Sequence, residues 1–280
     1  MKIIHSLFFL SLLIFSFFII SFMEAGPQAG ETVGNTAPGY KTYDGSSSFN
    51  LAWKISYKKN DIGFSISRFS LEQDQGLGKA KSEENSSMML NEEGIKEFNI
   101  EFGPINISYI EKTATTWNSY GLIVLFNSTI EVNNTIEKRI FRRGEDGTAY
   151  LKIIKGGKVR EVVHTADEFD FTSGDLYLKG FEDTSGKATY KIFSLANGDI
   201  KSLSYIFIGK EEVLAINGVE ECLKIDVQGK NGGGIFLIND MGIALSFNIK
   251  FLLGNFSFTP IDYSGFEEAE RAITNKSLSK

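Results

Sequence analysis

Cysteine is nearly missing from this chain of 280 residues: Cys222 stands alone, so no disulfide can form within it. The fold must rest on packing and hydrogen bonds, or on a bond from Cys222 to a second chain. The plainer reading of Cys222 is a small buried hydrophobe. Histidine is almost as scarce, with His5 and His164 only. A zinc centre normally takes several His or Cys ligands, and these are too few. A basic excess is missing too. The net charge is −6, and Lys2 and Glu24 cancel, so the body behind them keeps that value. Such a chain lacks the cationic footprint of a nucleic-acid binder. No motif calls for a cofactor.

Charge is also missing from residues 3–23, between Lys2 and Glu24, where Leu, Ile and Phe dominate. An uncharged run of that length is more stable in lipid than in water, which makes residues 1–25 a signal peptide or an N-terminal membrane anchor. A secretory core is about 7–15 residues and a spanning helix about 17–25, so the length suits an anchor. Against that, Met23-Glu24-Ala25-Gly26 and Gln28-Ala29-Gly30 offer small residues for cleavage, although Met23 is large for its place. No cysteine lies near the end of the run, so a lipid-modified N-terminus is not expected. Either reading puts the body outside the cytoplasm: secreted, periplasmic, or tethered facing outward through residues 3–23.

Residues 26–48 are rich in Gly, Pro, Ala, Ser and Thr and read as a flexible spacer. From Phe49 onward the dominant signal is period two. Leu51, Trp53, Ile55 and Tyr57 alternate with small or charged residues, as do Phe98, Ile100 and Phe102. The cleanest case is Ile243, Leu245, Phe247, Ile249, Phe251 and Leu253. A strand puts such residues on one face, whereas a helix would scatter them. Asn197-Gly198, Asn217-Gly218, Asn231-Gly232, Asp146-Gly147 and Gly156-Gly157 separate the runs. These pairs tolerate the positive φ of tight hairpins, so neighbouring strands are expected to be antiparallel.

Phe64 and Ile66 give way to Phe69 and Leu71, and Phe256 and Phe258 to Ile261 and Tyr263. Both changes of phase suggest β-bulges. Residues 122–126 are apolar throughout and suggest a central strand covered on both faces, or one touching the helix. Ser264 and Glu267 form a capping-box pattern before Glu268 to Ala272, so residues 264–280 read as a short helix and polar tail. Residues 74–94 read as a long loop with one helical turn near Met88.

The expected fold is mainly β: a single antiparallel meander of about a dozen strands over 49–263, curled into a barrel or half barrel, or split into a sandwich. An outer-membrane barrel is the rival, given 24 Phe. Frequent charged turns and the polar helical end argue against it.

Candidate chemistry is sparse. His164 lies among Thr165, Asp167 and Glu168 with no nucleophile motif beside it, so it reads as a strand-end histidine and no catalytic residue is assigned. Lys230-Asn231-Gly232-Gly233-Gly234 lacks the ending of a phosphate loop and reads as a hairpin. Asp167, Asp170 and Asp175 do not have EF-hand spacing. Asn85, Asn106, Asn127, Asn133, Asn255 and Asn275 begin glycosylation sequons, of which Asn106, Asn127, Asn133 and Asn255 are the candidates. Trp53, Phe64, Phe207, Phe247 and Phe251 point inward by period two, either as packed core or as the lining of a cavity for a lipid or other hydrophobic ligand.

Tyr205 to Val213, Asn217 to Ile225, Gly232 to Leu237 and Gly242 to Leu245 make a strand, hairpin and Gly-turn pattern, and Asp61-Ile62-Gly63 follows an opening strand. Over about half the body this resembles an uncharacterised family of secreted β-proteins, similar in architecture to LolA-type lipoprotein-carrier half barrels. The tryptophan expected near Phe236 is absent. The resemblance implies a curled sheet and carries no catalytic residues. The expected role is therefore a non-enzymatic envelope protein that holds a hydrophobic ligand. The alternatives are a solid-core module binding another envelope protein, or an envelope hydrolase.

Overall fold

The computed structural model describes residues 48–73, 88–102, 105–176, 187–216, 218–230, 232–251 and 254–278. The leader, nearly all of the spacer and most of the expected loop at 74–94 lie outside these residues. Fifteen strands among them form one sheet. They are β1 (Ser48–Tyr57), β2 (Asn60–Gln73), β3 (Met88–Phe102), β4 (Ile105–Trp117), β5 (Ile123–Val132), β6 (Thr135–Arg143), β7 (Ala149–Lys155) and β8 (Lys158–His164). There follow β9 (Phe171–Thr172), β10 (Lys187–Phe193), β11 (Ile200–Ala215), β12 (Gly218–Gly229), β13 (Gly232–Ile238), β14 (Ala244–Phe251) and β15 (Gly254–Pro260). One helix, α1 (Tyr263–Leu278), closes the series.

The spatial order runs from β8 back to β1, then from β15 back to β9. Two consecutive meanders are thus joined where β1 pairs antiparallel with β15, Trp53 opposite Pro260 and Tyr57 opposite Phe256. The pairing of β9 with β10 is parallel and two residues long. This is the mainly antiparallel, curled sheet that the alternation implies. Curling is visible in contacts between distant strands: the rings of Phe141 on β6 and Phe193 on β10 lie 6.0 Å apart. Among the described residues no strand pairing joins β8 to β9, so the sheet is not closed. Side chains bridge the gap instead. His164 sets its ring edge-on to Phe193 at 5.5 Å, and Arg160 lies 3.9 Å from Asp199.

The inner face of β13, β14 and β15 carries an aromatic ladder. Phe236, Phe247 and Phe258 are successive register partners. Their rings stack at 5.8 and 4.1 Å. Such cross-strand pairs fix register as well as burying area. The outer face is covered locally by α1. Phe266, Ala269 and Ile273 pack on Ala52 and Ile66, with Phe64 and Ile261 at the margin.

That helix corrects two expectations. Phe64 and Ile66 sit on the outer face under α1, whereas Phe69 and Leu71 face the core. The change of phase marks two covered faces, and the pairing of β2 with β3 runs unbroken through it. Likewise Ile261 follows the end of β15 and joins the helix cluster. The bulges lie elsewhere, at Ile55/Ser56 and Thr116/Trp117 among others. The second brings Ile123 and Phe126 both inward, which accounts for the apolar run at 122–126. Met88 to Gly94 belong to β3, not to a loop or helical turn. The N-cap of α1 is Asp262, whose Oδ1 accepts the Gly265 N–H at 3.0 Å, rather than Ser264.

Gly156-Gly157 turns β7 into β8 with φ of 54° and 77°, as two-residue hairpins require. Lys58-Lys59 and Asn133-Asn134 make equivalent turns without glycine, at φ of 49°, 69°, 46° and 67°. Asn133 holds its conformation by accepting from the Ser108 N–H at 2.8 Å and donating to the Asn106 carbonyl at 3.1 Å.

Candidate functional site

Inner-face positions are not uniformly apolar. Extending the phase of Phe98 backward along β3 reaches Lys96, Gly94 and Glu92, and extending Tyr109 forward along β4 reaches Glu111, Thr113 and Thr115. Register places these side by side: Lys96 opposite Glu111, Gly94 opposite Thr113, Glu92 opposite Thr115. Serines continue the rows, with Ser65 and Ser67 on β2 and Ser128 on β5. Arg139 and Glu137 extend them onto β6. A polar strip therefore crosses the wall beside the aromatic ladder, and Lys96 Nζ touches that ladder 5.8 Å from the Phe258 ring centre.

The strip is internally paired. Lys96 Nζ lies 3.3 Å from Glu111 Oε2, with side-chain exposures of 7% and 2%. Tyr109 and Ser128 donate hydroxyl hydrogen bonds to Glu111 at 2.9 Å each. Burial pushes the Tyr109 phenol well above its usual range, and the Glu111 charge adds to this. Arg139 Nε donates to Glu137 at 2.7 Å, and Lys155 meets the other oxygen of Glu137 at 2.8 Å. Burial raises the Glu137 carboxyl, yet the Arg139 and Lys155 charges outweigh it and hold the group below its usual value. Arg139 Nη1 is buried and has no hydrogen-bond partner.

Glu92 accepts a short hydrogen bond from Ser67 Oγ at 2.5 Å. Burial raises its carboxyl above the usual value, opposed by the hydrogen bonds of Ser67 and Thr115. It stands between two recesses of about 40 Å³ each. One is lined by the hydroxyls of Ser65, Ser67, Thr113 and Thr115 and by the paired Lys96 and Glu111, with Gly94 on its wall. A Cβ on Gly94 would lie 2.4 Å from Thr113 Oγ1, so a side chain there would force the Thr113 hydroxyl to move. The other recess is bordered by Trp53, Phe69, Trp117 and the loop around Ile243.

Both tryptophans are anchored. Trp53 Nε1 donates to the Leu245 carbonyl at 2.7 Å, and Trp117 Nε1 to the Gly174 carbonyl at 2.5 Å. The loop holding Gly174 is fixed by Asp175, which accepts from Arg143 Nη2 at 2.7 and 2.6 Å and from the Ile123 N–H at 2.7 Å.

No family model matches this sequence. No curated protein sequence matches it either. Its fold is similar to a solved β-barrel-like protein of the domain of unknown function DUF1849 from Brucella abortus. That likeness has a TM-score of 0.45 at 9% identity, covering 76% of this chain and 95% of the other.

Of the aromatic residues expected to point inward, Trp53 borders a recess and Phe247 belongs to the stacked ladder. Phe207 is half-buried opposite Ile225. Phe64 lies on the opposite face under α1. Phe251 ends β14, and its side chain is outside the described residues. His164 Nδ1 is 2.9 Å from Glu168 Oε2 within a turn. Cys222 is buried, and burial, with Glu220 next in effect, pushes its thiol up to about 12. Asp167, Asp170 and Asp175 do not converge: Asp170 accepts the Lys191 N–H, while Asp175 holds Arg143. Among the described residues no three His, Cys, Asp or Glu side chains gather to hold a metal. Asn106, Asn133 and Asn255 are exposed and Asn127 is half-buried. Glu92, Lys96, Glu111, Glu137 and Arg139 escape a reading that follows only apolar residues; their signal is the same period two carried through polar ones.

Proposed function

We propose that the chain is a non-enzymatic, extracytoplasmic protein of the cell envelope that binds a hydrophobic or amphipathic small molecule within its curled sheet. One observation carries this reading: Glu92 is a shared wall between a recess bordered by Trp53, Phe69 and Trp117 and a recess lined by hydroxyls. Ionisable groups on an inner face cost folding free energy that well-packed apolar residues would not. A face shaped only for packing would not carry Glu92, Lys96, Glu111, Glu137 and Arg139. Export is supported by the uncharged run at 3–23. The sequence resemblance to LolA-type carriers is a further reason for this reading. The non-enzymatic reading is supported by the buried thiol of Cys222, which is withheld from nucleophilic chemistry. Native mass spectrometry and solvent extraction of the purified protein test it. An extractable apolar molecule, near one per chain, is expected; a bare chain mass with nothing extracted opposes it.

A protein partner is the second reading. Leu214 and Val219 are register partners on the β11–β12 hairpin with exposures of 62% and 63%. Capture of an envelope protein that is abolished by Leu214→Ser with Val219→Ser would favour it.

A further inference from the structure

We infer that the pair of recesses around Glu92 is a head-group site for a small amphipathic molecule bearing an uncharged hydrogen-bonding end, a hydroxyl or a protonated carboxyl, on a short apolar body. This rests on the ligand-binding reading above and adds the position and chemistry of the site. The charges along the strip are already matched, Lys96 with Glu111 and Arg139 with Glu137. An incoming anion would have to break one of these buried pairs, and stripping one partner from a buried pair is strongly unfavourable; burial disfavours the charged form of Glu92, which weakens its hold on an incoming cation. What the hydroxyl-lined recess offers a guest is Ser65, Ser67, Thr113 and Thr115, beside the hydrogen-bonded carboxyl of Glu92 and a Lys96 and Glu111 already paired with each other.

Size limits the guest further. Each recess has about 40 Å³, against roughly 10–15 Å³ for one water-sized group. About three such groups fit on each side of Glu92, which suits a molecule of short chain length. The apolar body would lie against Trp53, Phe69 and Trp117, and the polar end would reach Thr113 and Thr115 past Glu92.

The chain contains two tryptophans, Trp53 and Trp117, and both border the apolar recess, so tryptophan emission, excited selectively over the ten tyrosines, reports on that recess. Titration with 1-hexanol at pH 7 is expected to change the emission saturably, while hexylammonium leaves it unchanged. Hexanoate is expected to act only as the pH falls and the acid form accumulates. Gly94→Ala, whose Cβ would meet Thr113 Oγ1, and Thr115→Val, which removes a hydroxyl bonded to Glu92 at nearly constant volume, each weaken 1-hexanol binding. A lost hydrogen bond of this kind corresponds to about tenfold in affinity. Thr115→Val serves where Gly94→Ala does not fold. No saturable emission change with 1-hexanol, or equal binding by Thr115→Val, overturns the inference. Tighter binding of hexylammonium or of ionised hexanoate also overturns it. If solvent extraction yields an apolar molecule while 1-hexanol leaves both tryptophans untouched, the site falls and the wider reading stands; if nothing binds in either experiment, both fall.

Discussion

Arg139 has 2% of its side chain exposed, and its guanidinium meets Glu137 through Nε and Nη2 while Nη1 finds no partner. Removing the counter-charge leaves this cation stranded. Glu137→Gln is therefore expected to lower stability by about 3–5 kcal/mol in urea unfolding, and Glu137→Leu combined with Arg139→Met to lower it far less. Glu92 acts in the opposite sense. Burial raises its carboxyl in the folded state, so the fold favours the protonated form, and stability falls as pH climbs from the ordinary carboxyl range through the raised value. Glu92→Gln should match the parent at low pH and exceed it at pH 7; a gap that is constant across pH would contradict this. Glu137, held below its usual value, contributes stability that is present above the ordinary carboxyl range and lost as pH falls through its depressed value. Cys222, with its thiol pushed up to about 12, should resist maleimide in the folded protein and react only in denaturant. Its burial was legible from composition, since a lone Cys in a disulfide-free chain behaves as a small hydrophobe. The pairing of Lys96 with Glu111 was not, because it exists only through the register of β3 with β4.

Strands were the most legible elements because alternation survives single-sequence reading wherever one face is wet. Where both faces are covered the signal fails. Ile66 lies under α1 and Phe69 in the core, and the same stretch of β2 then looks like a shift of phase. Met88 to Glu93 looked unlike a strand because Glu92 occupies an inner position. Turns were legible only where glycine marks them. Lys58-Lys59 adopts the same positive φ with two lysines, at a strain of roughly 1–2 kcal/mol per residue. Lys59→Gly should recover about 1 kcal/mol, read as a higher urea midpoint at unchanged slope. At the other boundary Asp262→Ala removes the cap of α1 and should cost about 1 kcal/mol.

At the scale of the whole molecule, the sheet has its seam in the middle and its edges at the centre of the sequence. β8 and β9 are consecutive in the chain yet stand at opposite ends of the strand order. Bridging by His164 and Phe193, and by Arg143 and Asp175, holds those ends with no strand pairing between β8 and β9 among the described residues. Amide exchange is expected to be fastest along the outer side of β8 and slowest where β1 meets β15; uniform protection would contradict the open topology. The seam also has a consequence in time. A chain delivered from its N-terminus presents β1 first, while its partner β15 arrives last, about two hundred residues behind, as Trp53 opposite Pro260 requires. Until then β1 is a bare edge, and the first meander waits, half-built, for the second to emerge.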